Sequence, residues 1–193
     1  GHTVTVLSRT PDAEPLPEDV RTVEGDVTAY DSIESAFDGQ DAVVNLVALS
    51  PPFTPTGGDE MHDRVHYGGT KNVVRAAEDH GVDRLVQLSA LGADPDGPTA
   101  YIRAKGSAEA VVRNSAIDWV IIRPSVVFGD GGEFIPFTKM LTTPYVTGLP
   151  GGGRTRFQPI WVGDFVPMLA DAVEGDTHVG ATYELGGPEV LTL

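Results

Sequence analysis

Tyr101 and Lys105 lie four residues apart in a stretch, residues 99–114, whose spacing predicts a helix, so their side chains share one face. An ammonium held close to a phenol stabilises the phenolate and lowers its pKa. Tyr101 then becomes a proton donor or acceptor near neutral pH, with Lys105 tuning it. Ser89 ends the strand predicted just upstream, over residues 84–89. Its hydroxyl there is placed to hold a substrate carbonyl or alcohol within reach of the phenol. A Tyr-x-x-x-Lys pair by itself is weak, because many solvated helix faces carry one. The order is more specific: a strand ending in Ser89, a helix with Tyr101 and Lys105, then a strand running into Arg123-Pro124-Ser125.

The elements that must position these residues follow from apolar periodicity. Residues 3–8 alternate in the manner of a strand, and residues 20–25 read as a short second one. Residues 32–37 carry a helix pattern ended by Gly39. Residues 41–48 form a continuous apolar run, as expected of a strand buried on both faces. After a Pro- and Gly-rich loop at 50–58, a long helix is predicted over 59–80, with Val65, Val73, Val74 and Ala77 inward. Residues 118–123 read as another buried strand. Strand and helix alternate, which predicts a parallel sheet with helices on both faces and right-handed crossovers.

The last third is less regular. Glycine-rich loops at 129–132 and 148–153 flank a short helix at 134–141. Residues 160–162 read as a strand, Asp164 as the cap of a helix over 165–173, and residues 182–185 as a final strand. This part is expected to form a smaller lobe over the carboxyl ends of the sheet, where such folds bind ligands. Trp119 and Trp161 read as packing aromatics.

Composition bounds the function. The 193 residues carry 13 Lys and Arg against 28 Asp and Glu, a formal net charge of −15. Such a chain repels a nucleic-acid backbone, which excludes DNA or RNA binding as its main task. The absence of cysteine excludes disulfides, thiolate metal sites and cysteine nucleophiles. No apolar run reaches the roughly 20 residues of a membrane-spanning helix, and no secretory leader is legible at the start. Only Lys71, Lys105 and Lys139 are lysines, and the acidic, lysine-poor composition resembles that of proteins from a salt-loving cytoplasm. High salt would screen its self-repulsion. An ordinary acidic protein is the alternative. A cytoplasmic location is expected on either reading.

The chain as a whole resembles the extended and atypical short-chain dehydrogenase/reductase superfamily. The likeness is strongest to NAD(P)-dependent epimerase/dehydratase-like proteins and to the nucleotide-binding accessory subunit of respiratory complex I. It is carried by Leu7-Ser8-Arg9, Gly25-Asp26-Val27, Asn45-Leu46-Val47-Ala48, Gly69-Thr70-Lys71-Asn72-Val73-Val74 and Leu88-Ser89-Ala90. Further along come Tyr101-Ile102-Arg103-Ala104-Lys105, Ile122-Arg123-Pro124-Ser125-Val126-Val127-Phe128-Gly129 and Gln158-Pro159-Ile160-Trp161-Val162-Gly163-Asp164. The resemblance implies a Rossmann-type α/β fold, a doubly wound parallel sheet with a small C-terminal substrate lobe. It implies one NAD(P)-binding domain over 1–193, with 1–128 the cofactor core and 129–193 mainly the substrate lobe.

It also implies roles. Asp26 and Val27 would contact the adenine, and Val47 and Ala48 would line the path of ribose and pyrophosphate. Tyr101 would be the acid/base, Lys105 would bind the nicotinamide ribose and tune Tyr101, and Ser89 would orient substrate. Pro124 and Ser125 would lie beside the nicotinamide. Arg9 follows the first strand, where relatives that prefer NAD tend to carry an acidic residue. A guanidinium suits a 2′-phosphate, so NADP is the expected cofactor and NAD the alternative. The implied activity moves hydride between nicotinamide and a carbonyl or alcohol carbon of a small molecule. The rival implied role is a non-catalytic NAD(P)H-binding subunit, structural or redox-sensing, of a respiratory complex. Monomer and homodimer are both compatible with the family.

The family's phosphate-binding glycine motif is missing from the sequence, and the first strand with it. Both are expected upstream of Gly1, leaving a central gap between the strands at Thr3 and Asp41 with backbone unpaired on either side. The chain therefore reads as incomplete at both ends. His66 stands where many relatives carry an Asn that helps relay protons. His62 and His66, four apart with Asp59, Glu60 and Asp63 nearby, read as a solvated helix face in preference to a metal site, and no metal is expected.

Overall fold

The computed structural model describes residues 1–13, 15–49, 55–132, 134–141 and 150–192. The expected loops at 50–58 and 148–153 thus lie partly outside the described residues. In chain order the first strands are β1 (Thr5–Ser8), β2 (Arg21–Glu24) and β3 (Ala42–Asn45), with the short helix α1 (Tyr30–Ile33) continuing into a 3₁₀ turn, Glu34–Phe37, before β3. The long helix expected next is three coaxial pieces. They are α2 (Glu60–His62), a π-helical stretch Asp63–Gly68, and α3 (Gly69–Asp79). Then come β4 (Arg84–Leu88), α4 (Ala100–Arg113), β5 (Asp118–Pro124) and β6 (Val127–Phe128). The chain continues through α5 (Phe134–Leu141), β7 (Arg156–Phe157), β8 (Ile160–Trp161), α6 (Val162–Val173), β9 (Ala181–Leu185) and β10 (Leu191–Thr192).

The architecture is α/β and Rossmann-like. β3, β4, β5 and β9 form one parallel sheet in that order, and β1 pairs in parallel with β2. The period of two along the strands divides the core. Leu85 and Ile121 face one cluster, with Val73, Val74, Ala77 and Val112 of the helices over that face. Val86, Val120 and Ile122 face the other, under Phe165 and Ala172 of α6. Arg84 ties this second layer down: its guanidinium donates to the carbonyls of Gly175 (2.7 Å) and Ala172 (3.4 Å) and pairs with Asp176 (3.0 Å). The guanidinium therefore caps the carboxyl end of α6, where a cation meets the negative end of the helix dipole.

The two sheets do not pair with each other. Between β1 and β3 runs a groove of about 1410 Å³, lined by residues 1–9 on one side and 39–49 on the other. Among the described residues β1 and β3 are not hydrogen-bonded to each other across it. The groove explains a correction: β3 is not buried on both faces, and Val44 and the following Leu46 are exposed because they border the groove.

Three further expectations change. Asp164 does not cap α6. The helix begins at Val162, and Asp164 sits in its first turn. Trp161 is 53% exposed rather than packed, while Trp119 does lie against the core. The last third also does more than form a lobe: β9 extends the main sheet beside β5, and α6 covers one of its faces. The small pairs β6–β8 and β7–β10 stand apart from that sheet, as β1–β2 does. Among the described residues no helix is long and apolar enough to cross a membrane.

Candidate functional site

Thr99 starts α4. Its backbone is extended, and its hydroxyl accepts the Ile102 N–H (3.2 Å). Four residues per turn of face then align Tyr101, Lys105 and Glu109 on the side that meets the sheet. Lys105 is 1% exposed. Its ammonium donates to the carbonyls of Leu88 (3.1 Å) and Val47 (3.4 Å), at the carboxyl ends of two neighbouring strands. Burial lowers its pKa to about 8, against the opposing pull of Glu109. The amine is thus a cation at neutral pH, held against the groove wall at Val47.

Tyr101 packs beneath the π-helical stretch. His62 and His66 stack with centroids 5.6 Å apart and nearly parallel planes, and each presents its ring edge-on to Tyr101 at 5.6 and 5.4 Å. The histidines are therefore not a solvated face. Both are buried, because that face of the long helix packs on α4. The His66 Nε2 accepts the Leu49 N–H at 3.5 Å, which puts its proton on Nδ1. Neither histidine Nδ1 has a hydrogen-bond partner among the described residues. Burial, then the charge of Lys105, then His62 push the pKa of His66 down to about 3, so it is neutral.

Two expectations about the acid/base pair are corrected here. The Tyr101 phenol is not made acidic. Burial pushes its pKa up to about 12, and the Lys105 Nζ stands 6.0 Å from the ring centroid. Ser89 is buried, and its hydroxyl donates to Glu109 at 2.5 Å. Its single proton is thereby committed, which contradicts a role as donor to substrate.

Glu109 is the residue that sequence reasoning missed. Its carboxylate is 1% exposed and receives hydrogen bonds from Arg123 at both oxygens (2.8 and 2.7 Å) and from Arg113 (2.8 Å). Burial raises its pKa, but the bonds from Arg123, Ser89 and Arg113 outweigh that and leave it lowered overall. A carboxylate four residues beyond Lys105 on the inward face of α4 was the available signal.

The groove gathers Arg9, Asp26, Val27, Val47 and Ala48 of the predicted cofactor residues. The Asp26 carboxylate accepts the Thr28 N–H (2.8 Å), which with Arg9 and Arg64 holds its pKa below the ordinary value. Pro124 and Ser125 do not line the groove. They end β5, where the Pro124 carbonyl accepts the Leu91 N–H and the Ser125 hydroxyl accepts the Gln158 N–H (3.3 Å). Gly25 closes the floor: a side chain there would meet the Ser32 carbonyl at 2.6 Å.

A parallel sheet of this kind, with a buried lysine at the carboxyl ends of β3 and β4 and with Arg9 and Asp26 beyond those of β1 and β2, has the layout of a dinucleotide-binding α/β domain. Residues 1–138 match the NAD(P)H-binding family, and the chain belongs to that family. It is 34% identical over 164 residues to the mitochondrial NADH dehydrogenase [ubiquinone] 1 alpha subcomplex subunit 9 of Arabidopsis thaliana, covering 84% of this chain and 40% of that protein. It is 26% identical over 226 residues to a 3 beta-hydroxysteroid dehydrogenase/Delta 5→4-isomerase of Mycobacterium tuberculosis, covering 100% of this chain and 60% of that one. The chain thus spans about half the length of such relatives. Among solved structures it resembles the Bordetella bronchiseptica enzyme WbmG in complex with NAD and UDP (TM-score 0.78, 21% identity, 99% of this chain, 66% of that chain). It also resembles the UDP-glucose 4-epimerase of Thermus thermophilus in complex with NAD (TM-score 0.76, 20% identity, 98% and 71%). These likenesses show a shared fold.

Proposed function

We propose that the chain is the dinucleotide-binding part of an NADP-dependent oxidoreductase or epimerase/dehydratase-like enzyme acting on a small molecule. The observation that carries this reading is Lys105, a buried cation beside the groove, four residues from Tyr101 on the same helix face. The residues present suit a nicotinamide dinucleotide. Arg9 follows β1, Asp26 follows β2, and the Lys105 ammonium donates to the Val47 carbonyl beyond β3, so all three lie at the carboxyl ends of parallel strands. A bound nicotinamide would supply or accept hydride. Lys105 would donate hydrogen bonds to the ribose hydroxyls. Tyr101, neutral at working pH, would act as a proton donor to a substrate oxygen, and burial would keep water from that exchange. Arg9 would pair with a 2′-phosphate, which favours NADP over NAD. The acidic composition suits a cytoplasm rich in salt.

A second reading is favoured by a specific observation. The Ser89 proton is committed to Glu109, which suits a dinucleotide retained without turnover. Identity to a complex I subunit supports the same role, a structural or redox-sensing subunit of a respiratory assembly. Oxidation of bound NADPH by a panel of small carbonyl compounds separates the two. Turnover that disappears in Tyr101→Phe supports the enzyme. Bound NADPH that no carbonyl oxidises, in parent and variant alike, supports the subunit.

A further inference from the structure

We propose that Glu109 is a positioning residue for the Tyr101–Lys105 pair: its buried carboxylate pins α4 to the ends of β4 and β5 and balances the charge of the Lys105 ammonium. The proposal rests on the reading of Lys105 as the cation that holds the dinucleotide. The geometry has two parts. Glu109 bridges Ser89 beyond the end of β4, Arg123 near the end of β5 and Arg113 on its own helix. Arg123 in turn donates to the Ala93 carbonyl (3.2 Å), so the loop after β4 is gathered into the same network. The helix that carries Tyr101 and Lys105 therefore cannot slide against the strand ends without breaking charge-assisted bonds.

The charge count makes the second part. Arg113 and Arg123 both bond Glu109 directly, and Glu109 is the buried carboxylate whose charge acts on Lys105 one helical turn away. Glu184 reaches only the outer side of Arg123 (3.3 Å) and is itself exposed. The π-helical stretch offers Lys105 the neutral His66 and, behind it, His62. β3 and β4 offer the Val47 and Leu88 carbonyls with the uncharged Asn45 and Gln87. The loop after β4 carries Asp94, which is exposed and accepts the N–H of Asp96. Removing the Glu109 charge would take from Lys105 a carboxylate one helical turn away, and at an effective dielectric near 20 the loss of such a neighbour is strongly felt.

The test is the titration of Lys105 itself, followed by NMR of side-chain-labelled lysine in the unliganded protein. With lysine only at 71, 105 and 139 in this chain, Lys105→Arg assigns the signal. Glu109→Gln is expected to move the Lys105 midpoint down by about one pH unit or more. Arg123→Gln, which frees the Glu109 charge from its bidentate partner, is expected to move it up. Opposite displacements support the proposal. Two midpoints that stay put, or that both fall, overturn it, because a purely structural network has no reason to change sign. Should Glu109→Gln fail to fold, the direction in Arg123→Gln decides alone. NADPH affinity is measured separately at pH 7 and pH 9. Loss of all NADPH binding in the parent, with the Lys105 displacements intact, refutes the dinucleotide reading and leaves the charge coupling standing.

Discussion

Gly106 follows Lys105 in α4, and it should be intolerant of the smallest side chain. A Cβ built there stands 2.4 Å from the Asp94 carbonyl carbon, 2.4 Å from the Pro95 nitrogen and 2.7 Å from the Asp94 Cα. All three are backbone atoms, so no side chain can swing aside. Two effects compete in Gly106→Ala. Helix propensity favours alanine by about 1 kcal/mol in a helix interior. Overpacking into backbone costs about 3 kcal/mol, the upper part of the usual range. The clash wins, and a net loss of about 2 kcal/mol follows, which lowers Tm by roughly 4–8 °C for a chain of this size. The displaced segment is the loop that follows Ser89, so the strand-end geometry beside Lys105 should suffer too. Urea and thermal unfolding of parent and variant measure the effect. A variant as stable as the parent, or more so, would refute the claimed contact between α4 and this loop.

Three other outcomes follow from the buried charges. His66 has its pKa depressed to about 3 from 6.5, so the unfolded chain takes the proton first as the pH falls. Its stabilising contribution is whole above about pH 6.5 and is lost progressively toward pH 3, on the order of several kcal/mol. His66→Gln should flatten that part of the stability profile, as read by urea unfolding across the range. Lys105 has the same sign in a higher window: with a folded pKa of about 8 against 10.5, stability should rise between those values by on the order of 3 kcal/mol. Tyr101, raised to about 12, reverses the trend above pH 10, and Lys105→Met should abolish the rise while leaving that fall. Arg84→Lys should destabilise by about 2 kcal/mol despite keeping the charge, because one ammonium cannot span the Gly175 carbonyl and Asp176 as the guanidinium does. Equal midpoints for parent and variant would show that this cap contributes nothing.

The alternation of apolar runs was enough to read the parallel sheet, and the four-residue spacing of Tyr101 and Lys105 was enough to put them on one face. Neither periodicity nor spacing could reveal what burial does to that pair. Propinquity predicted a more acidic phenol, yet desolvation dominates both groups and the phenol becomes less acidic. Ser89 was misread for a related reason: a strand-end hydroxyl looks available in sequence, and only the third dimension brings Glu109 to it. Glu109 itself is one of 28 acidic residues, and its place four residues beyond Lys105 on α4 is the one local mark of it. The π-helical stretch carries no proline, and across its junction with α2 the rings of His62 and His66 stand edge-on to Tyr101. The exposed face of β3 reflects the groove beside it, a property of the sheet's assembly rather than of residues 41–48.

A fluorescence titration of NADPH and NADH into the full chain at high potassium chloride, with Lys105→Met alongside, tests the central claim most directly. The account predicts saturable binding, tighter for NADPH through Arg9, and at least tenfold weaker in the variant. Binding of neither nucleotide, or equal binding in parent and Lys105→Met, would contradict it.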